Sequence, residues 1–335
     1  MLFYLSAMVQ SVDEIPTPAI LIEADAMERN LRRMQVTCDA AGVELWPHIK
    51  THKMVPVLRR QLELGAKGMT CAKIGEAEAL LPSGVERIFI AHSLVDRRHV
   101  PRLQALHEKL ETLILAVTSS LQFEALESLL AEANLSVPVL MAVDTGLKRE
   151  GTRSLTEATA LAAKIRGSSR MNLIGLYTHE GHAYSRKPED SIDIVVGRVH
   201  EKLIEVAGAV GGELPLWPGC SVTAAVMARQ VGVKVVRPGS YVFGDLSLTE
   251  RACNMPYEDA ALNILTTVVD RPEAGVALID AGSKVLSSDR NAGSTQRSCS
   301  TGNSLSRNPG ERNALCTDAC PESQAACSDP TQLGR

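Results

Sequence analysis

The residues best suited to chemistry lie in the segment WPHIKTHK, residues 46–53, which holds two histidines and two lysines. A lysine amine attacks carbonyl compounds as a nucleophile, and histidine transfers protons or binds metal ions. The same residues would also be ordinary in a solvated charge cluster. The choice among a metal site, a solvated cluster and a reactive lysine depends on the elements that position the segment.

Two members of this segment, His48 and Lys50, are two residues apart at what reads as the end of a strand. Alternate strand residues face the same side, so both side chains are expected to point into one space. If that space is the mouth of a barrel, burial lowers the pKa of Lys50 and makes its amine a Schiff-base nucleophile. The alternative is that both are surface groups at a strand-to-helix turn.

The segment VDTGLKREG, residues 143–151, places Asp144 at the end of an apolar run and Arg149 in the loop that follows. These two side chains could orient an anionic ligand. They could equally form a structural ion pair with each other.

The segment LYTHEGHAY, residues 176–184, concentrates two of the chain's five tyrosines, Tyr177 and Tyr184, around two histidines and a glutamate. The tyrosines and imidazoles suit ring stacking and proton transfer. A metal at His179 and His182 would compete with those roles, and a polar loop with tyrosines at the core edge is the simpler alternative.

Two later segments are candidate phosphate-binding loops. PGCSVTAA offers Ser221 and Thr223 at a helix start, and RPGSYVFGD offers the backbone N–H groups of Gly239 and Ser240. Backbone N–H groups and hydroxyls at such positions attract phosphate. Each loop alone is a weak signal, but a nucleophilic lysine, an aromatic and imidazole wall and a two-loop phosphate site together are what pyridoxal 5'-phosphate requires.

Alternating strand and helix patterns position these segments. Short apolar runs such as TPAILIEADA, RIFIAHS and VPVLMAVDTG each precede a helical pattern, giving roughly eight β-then-α units. This predicts an α/β fold, a closed (β/α)8 TIM barrel whose active site lies at the carboxyl ends of its strands. No G-x-G-x-x-G follows the first strand, which argues against a dinucleotide-binding fold.

The pattern divides the chain into four parts. Residues 1–14 form an N-terminal segment, and residues 15–250 form the coenzyme-binding barrel. Residues 251–289 begin a second, β-rich domain, with a hairpin turn predicted at RPEAG. Residues 290–335 contain no Val, Ile, Met, Phe, Tyr or Trp, so we expect this atypical tail to be disordered.

Composition excludes several classes of partner. A net charge of −4 without a polybasic run argues against nucleic acid and anionic membranes. The sequence has no apolar stretch of about 18 residues, the length that would predict a membrane-spanning helix. The apolar N-terminus lacks a positive n-region and is a poor signal peptide, so we expect a cytoplasmic protein with reduced cysteines.

Together, TPAILIEADAMERNLRRM, PHIKTHK, YTHEGHAY, GCSVT and RPGSYVFGD resemble the D-serine dehydratase / D-threonine aldolase-like family. These are fold-type III pyridoxal-phosphate enzymes with an alanine racemase-type barrel, and the resemblance covers about residues 15–289. It implies that Lys50 carries the coenzyme and that Tyr177 and Tyr184 line it. It also implies that Thr223, Gly239 and Ser240 hold the phosphate and that the protein is a homodimer.

The sequence departs from this family in two places. The phosphate loop reads Gly-Cys-Ser-Val-Thr at residues 219–223, where the family usually has Gly-Ser-Thr-Pro-Thr. The family's metal site, a histidine followed two residues later by Cys or Asp near the C-terminus, has no counterpart because the last histidine is His200. We therefore expect no bound metal and an incomplete β-domain, through either a reading-frame shift or a truncated paralogue.

The resemblance implies elimination from a D-amino acid with a β-hydroxyl group, as in D-serine dehydratases, giving a keto acid and ammonia. Retro-aldol cleavage of the D-threonine aldolase type is an alternative. A non-catalytic coenzyme-binding protein is another, because the metal motif is missing. Racemisation is a third, and it requires a second base on the opposite face of the substrate.

Overall fold

The computed structural model describes residues 11–187, 189–244, 248–249, 255–273, 276–282, 285, 300–301 and 312–317, the last two ranges as backbone strands. They belong to two compact units. One comprises residues 30–242, and the other comprises the described residues of 1–29 and 243–335.

The two units are built from the following elements. The strands are β1 (Ala19–Ile22), β2 (Glu44–Leu45), β3 (Met69–Cys71), β4 (Arg87–Ile90), β5 (Thr112–Val117), β6 (Val137–Ala142), β7 (Met171–Tyr177), β8 (Leu216–Trp217), β9 (Val235–Val236), β10 (Leu262–Asp270), β11 (Leu278–Ile279), β12 (Ser300–Thr301) and β13 (Arg312–Thr317). The helices are α1 (Ala24–Ala41), α2 (Val55–Leu64), α3 (Ile74–Leu80), α4 (Val100–Lys109), α5 (Ser120–Ala133), α6 (Leu155–Gly167), α7 (Ile192–Val210) and α8 (Ala224–Met227).

Eight parallel strands, β2 to β9, close into a barrel in the larger unit. Strands β3 to β8 form one sheet in chain order, and β2 pairs with β9. A bridge between His48 and Thr70 joins the end of β2 to β3, and a bridge between Leu216 and Val233 joins β8 to the approach to β9. These pairings complete the ring and confirm the predicted (β/α)8 barrel.

The first predicted strand lies outside this ring. Strand β1 pairs antiparallel with β10, from Ala19 opposite Leu265 to Ile22 opposite Leu262. Its residues are only half-buried or exposed, whereas strands of a parallel barrel are buried on both faces. The barrel therefore begins at β2. A short apolar run does not distinguish these two environments from the sequence alone.

Aromatic side chains fill the centre of the barrel, although aromatic residues make up only 3% of the chain. The rings of Trp46 and Trp217 meet edge to face at 4.9 Å, and those of Phe89 and Tyr177 at 5.2 Å. Edge-to-face pairs at such distances are favourable beyond their burial. The interior is thus a packed core beneath the strand ends.

Serine caps start several of the outer helices. The hydroxyls of Ser119, Ser154 and Ser191 accept backbone N–H groups in the first turns of α5, α6 and α7, which satisfies donors that a helix leaves free. Asn134 ends α5 in the left-handed conformation, with φ 53°. These local signals agree with the helical patterns of the sequence.

The smaller unit is built on β10. The predicted hairpin is present, since β11 pairs antiparallel with β10 across the RPEAG segment. The carboxylate of Asp280 accepts hydrogen bonds from the hydroxyls of Thr17 and Thr266, both at 2.6 Å. Burial raises the pKa of Asp280, but these hydrogen bonds outweigh it and lower the pKa. Asp280 therefore links the segment just before β1 to the β10–β11 hairpin.

Two strands of the C-terminal segment, residues 290–335, also belong to this sheet. Strand β13 pairs antiparallel with β10, and β12 pairs with β13. These strands lie within residues 290–335, for which the sequence analysis expects disorder. The rest of that segment lies outside the described residues.

Two other expectations concern cysteines and membranes. Cys38, Cys71 and Cys220 are free and buried, as expected, and burial raises the pKa of the Cys38 and Cys220 thiols to about 12. Within the described residues, no helix combines the length and hydrophobicity needed to cross a bilayer.

Removal of one interior ring should cost much of the barrel's stability. Phe89 is fully buried, and Phe→Ala substitutions at such sites cost about 3–5 kcal/mol. We expect Phe89→Ala to lower the free energy of unfolding in urea by that amount. Leu121→Ala is the control, because Leu121 is 81% exposed and its truncation should change stability by less than about 0.5 kcal/mol. Equal losses in both variants would contradict the interior position of Phe89.

Candidate active site

The lysine segment follows β2 as a turn rather than as more strand. Ile49–Thr51 forms a 3-10 turn, in which Ile49 is buried and Lys50 is exposed. The argument that His48 and Lys50 share one face of a strand is therefore wrong. The N–H of Lys50 instead donates to Nδ1 of His48 at 3.4 Å. The turn still holds Lys50 at the carboxyl end of a barrel strand, which is the predicted position.

The surroundings of Lys50 favour its neutral amine. Although part of the Lys50 side chain is exposed, the surrounding protein atoms partly desolvate its amine and lower its pKa. The positive charges of Arg149 and Arg237 lower the pKa further, while Cys220 and Glu76 act in the opposite direction. Cationic neighbours and desolvation are the two usual ways to make a lysine nucleophilic. That Lys50 is the reactive amine stays a prediction.

Arg237 is a site residue that the sequence analysis misses. Its side chain is buried, and Nη2 donates to the carbonyls of Thr178 at 2.6 Å and Trp217 at 3.0 Å. The guanidinium carbon lies 5.3 Å and 5.2 Å from the ring centres of Phe89 and Tyr177. Burial lowers the Arg237 pKa to about 10, which still leaves the charge in place at neutral pH. The available signal was an arginine directly after the apolar run VKVV.

The ion pair suggested for Asp144 and Arg149 is not formed. Asp144 instead pairs with Arg153 at 3.1 Å and accepts the N–H groups of Gly146 and Lys148. Arg149 pairs with the adjacent glutamate, Glu150, at 2.7 Å. Its charge lowers the pKa of both Lys50 and His48, so Arg149 belongs to the electrostatic surroundings of the lysine.

The residues of the LYTHEGHAY segment point to different partners. Tyr177 is buried and donates to the carbonyl of Ala91 at 3.2 Å. Nδ1 of His179 hydrogen-bonds the carbonyl of Gly219, and burial lowers the pKa of His179 to about 4. The hydroxyl of Tyr184 lies 2.8 Å from that of Ser240. The segment therefore reaches both candidate phosphate loops.

The two candidate phosphate loops contact each other through Ser221. Its hydroxyl oxygen accepts the N–H of Gly239 at 3.1 Å and the N–H of Tyr241 at 3.2 Å. A Cβ on Gly239 would lie 3.0 Å from Oγ1 of Thr51 and 3.1 Å from the carbonyl oxygen of His48. A glycine at position 239 is thus what lets the second loop approach the lysine turn closely.

Thr223, at the end of the first candidate phosphate loop, contacts Glu180. Its hydroxyl is fully buried and donates to Oε1 of Glu180 at 2.7 Å, while Oε2 accepts the N–H of Gly219 at 3.1 Å. Burial raises the pKa of Glu180, and these two hydrogen bonds act against the increase. Glu180, a second residue that the sequence analysis misses, therefore fastens both ends of the Gly219–Thr223 loop.

These residues fit a phosphorylated aldehyde. Lys50 offers a nucleophilic amine, Arg149 and Arg237 supply positive charge, and the hydroxyls of Tyr184 and Ser240 meet beside Gly239. Amine, cations and hydroxyl donors are complementary to an aldehyde and a phosphate.

Comparisons with known proteins agree with this geometry. Residues 22–247 match the family model for the alanine racemase N-terminal domain, and residues 261–327 match that for the serine dehydratase domain. The chain is thus an alanine racemase-type barrel protein of the fold-type III pyridoxal-phosphate class. The second match continues past Asp289, which corrects the expectation that the family pattern ends there.

Similarity to individual proteins specifies the family more closely. The chain is 33% identical over 282 residues to D-threo-3-hydroxyaspartate dehydratase of Delftia sp. (strain HT23), covering 82% of this chain and 74% of the relative. It is 27% identical over 276 residues to D-threonine aldolase of Arthrobacter sp, covering 81% and 72%. The solved structure of the Delftia sp. HT23 enzyme matches with a TM-score of 0.76 at 32% identity, covering 83% and 74%. The chain belongs to the D-serine dehydratase / D-threonine aldolase-like family.

Acid should destabilise the fold through His52. Burial lowers the pKa of His52 to about 4 from the ordinary 6.5, so the unfolded chain takes up a proton at a pH where the folded chain does not. The resulting stabilisation is complete above about pH 6.5 and is lost as the pH falls toward 4. It amounts to on the order of 3 kcal/mol.

Urea unfolding of the wild type and His52→Gln between pH 7 and pH 4 measures this effect. The variant should lose less stability over that interval than the wild type. His107→Gln, at an exposed position of α4, should retain the wild-type dependence. Parallel curves for the wild type and His52→Gln would refute the assignment.

Proposed function

We propose that this chain is a pyridoxal 5'-phosphate-dependent lyase acting on D-amino acids that carry a β-hydroxyl group. The observation that carries the proposal is Lys50, an amine with a lowered pKa beside two arginines at the end of a barrel strand. The similarity to the Delftia sp. dehydratase and the Arthrobacter sp aldolase supports the reaction class.

Specific side chains would hold the coenzyme. Lys50 would bind it covalently, and the phosphate would lie at Gly239 and Ser240, with Ser221 joining the two loops. The remaining candidates for holding the coenzyme are His48, Arg149, Arg237, Tyr177, Tyr184 and Thr223. Thr223 would act through Glu180, to which its hydroxyl donates. Pyridoxal phosphate, when bound, supplies an aldehyde for amines and an electron-poor ring that accepts electrons released at Cα.

Lys50 would also handle the Cα proton. Its lowered pKa increases the fraction of neutral amine at neutral pH, and Nζ of a neutral lysine accepts a proton as a general base. For elimination, the Cα proton and the β-hydroxyl leave together as water, and hydrolysis then releases ammonia. D-serine would thus give pyruvate and ammonia.

Retro-aldol cleavage is the second candidate reaction, supported by the similarity to D-threonine aldolase. It breaks the Cα–Cβ bond, so D-threonine would give glycine and acetaldehyde. Here a base must take the proton of the β-hydroxyl rather than that of Cα.

Non-catalytic coenzyme binding is the third candidate. Within the part of the chain that the structure describes, no group of three or more His, Cys, Asp or Glu side chains is arranged to hold a metal ion. One solved relative is a C353A mutant of D-threo-3-hydroxyaspartate dehydratase in its metal-free form, so metal content is a property to measure here. A homodimer is a further proposal, which sedimentation analysis tests.

Covalent trapping of the coenzyme tests Lys50 directly. Borohydride reduction of the coenzyme-loaded protein should attach the label to the peptide containing Lys50, and Lys50→Ala should abolish labelling. Lys53→Ala is the matched control, because Lys53 is exposed and pairs with Glu76 at 3.4 Å. Peptide mass spectrometry locates the label. Labelling that disappears only in Lys53→Ala, or is absent from the wild type, would refute the proposal.

The reaction products distinguish elimination, retro-aldol cleavage and non-catalytic coenzyme binding. We expect the coenzyme-loaded protein to convert D-serine to pyruvate, with the L-enantiomer giving none. Glycine and acetaldehyde from D-threonine would instead establish retro-aldol cleavage. A labelled Lys50 without turnover of D-serine, D-threonine or D-threo-3-hydroxyaspartate, with and without added divalent metal, would establish a non-catalytic coenzyme-binding protein.

A further inference from the structure

Glu180 is a fully buried carboxyl group that follows the end of β7. Its Oε1 accepts the hydroxyl of Thr223 at 2.7 Å, and its Oε2 accepts the N–H of Gly219 at 3.1 Å. Both oxygens are thus engaged by the first candidate phosphate loop. An acidic group is costly to bury and is retained only where its hydrogen bonds offset that cost. The position of Glu180 therefore calls for a role in the loop that it holds.

Gly219, the first residue of that loop, is held from three sides. Its N–H donates to Glu180, and its carbonyl is hydrogen-bonded by Nδ1 of the adjacent His179. A Cβ at position 219 would lie 2.7 Å from Nη2 of Arg237, so the backbone passes directly against the guanidinium group. The start of the loop is thereby fixed between the end of β7 and Arg237.

Arg237 also offsets the charge of Glu180. The two groups attract each other electrostatically, and Nη2 of Arg237 donates to the carbonyl of Thr178, two residues before Glu180. A carboxylate near a phosphate site would repel the phosphate if no positive charge compensated it. Because Arg237 supplies that charge, Glu180 can organise a loop that binds an anion.

The second candidate phosphate loop depends on the first. Ser221 lies midway along the first loop, and its hydroxyl oxygen accepts the N–H groups of Gly239 and Tyr241 at 3.1 Å and 3.2 Å. Any displacement of Ser221 would therefore displace the second loop or break these hydrogen bonds. Glu180 thus influences both loops through contacts with only one of them.

We propose that Glu180 is a positioning residue for the phosphate group of the coenzyme, which it serves by holding Gly219 and Thr223 so that the two loops receive a phosphate monoester together. This inference rests on the proposed function. It goes beyond that function because Glu180 acts through the loop and not by touching coenzyme or substrate. A purely structural carboxylate would stabilise the barrel without favouring a phosphorylated ligand.

Pyridoxal 5'-phosphate and pyridoxal separate these two roles, because both carry the aldehyde and only the first carries the phosphate. Equilibrium dialysis of the full-length, coenzyme-free protein against each compound gives two dissociation constants, and their ratio measures the preference for the phosphate. Glu180→Ala should reduce this preference at least about tenfold, because a backbone N–H and a buried hydroxyl lose a charged partner. Its affinity for pyridoxal should change much less.

Two further variants distinguish the hydrogen bonds of Glu180 from its charge. In Glu180→Gln, the amide oxygen can accept the N–H of Gly219 and the amide nitrogen can donate to the hydroxyl of Thr223. This variant should therefore keep the preference within about threefold of the wild-type value. Thr223→Val has nearly the same shape and removes one of the two hydrogen bonds, so it should reduce the preference about threefold or more. It provides the test should Glu180→Ala fail to fold.

Thr266→Val is the matched control. Thr266 is as fully buried as Thr223, and its hydroxyl donates to the carboxylate of Asp280 at 2.6 Å in the smaller unit. Its loss removes the same kind of hydrogen bond at a position outside the candidate phosphate loops. The ratio of the two dissociation constants should stay at the wild-type value.

Several results would overturn the inference. They are an unchanged ratio in Glu180→Ala and Thr223→Val, equal losses of affinity for both compounds, a Glu180→Gln variant as impaired as Glu180→Ala, and an equal reduction of the ratio in Thr266→Val. If borohydride labels Lys50 while any of these results is obtained, the proposed function stands and only the role of Glu180 fails. If Lys50 is not labelled, both proposals fail together.

Discussion

The candidate site depends on a positive charge fixed inside the barrel. Arg237 lies between the carbonyls of Thr178 and Trp217 and the rings of Phe89 and Tyr177. An arginine held in this way keeps its proton and does not reorient, unlike a more flexible lysine. Its charge lowers the pKa of the nearby amine and of His179. The aromatic core thus has an electrostatic role as well as a packing role, because it determines where this charge is held.

Glu180 is a buried carboxyl group whose contacts organise the two candidate phosphate loops. It fastens the Gly219–Thr223 loop by both ends, and Ser221 of that loop then fastens the loop at Gly239. Two loops separated by α8 and β9 are thereby held as one surface. Their conformation depends on buried hydrogen bonds, which are expensive to break, so the surface is organised before any ligand binds.

The fold and the place of Lys50 at the end of a barrel strand were predictable because their signals are local. Strand and helix patterns identified the barrel, and the PHIKTHK motif identified Lys50. Other features depend on tertiary contacts that leave no periodic signal. Strand β1 pairs with β10, about 240 positions later in the chain, and the hydroxyl of Thr223 donates to Glu180. A sequence pattern shows which groups are available, but it does not show which of them a buried carboxylate will engage.

The shortness of β2 and β9 has a consequence for motion. Each has two residues, and single bridges at His48 and Val233 continue the ring on either side. Elsewhere, β6 and β7 pair over six positions. A closed ring parts most readily where the fewest hydrogen bonds hold it. Between β2 and β9, three backbone hydrogen bonds donated by Glu44, Trp46 and His48 hold the ring just before the turn that carries Lys50, so separation there is expected to cost less than between β6 and β7.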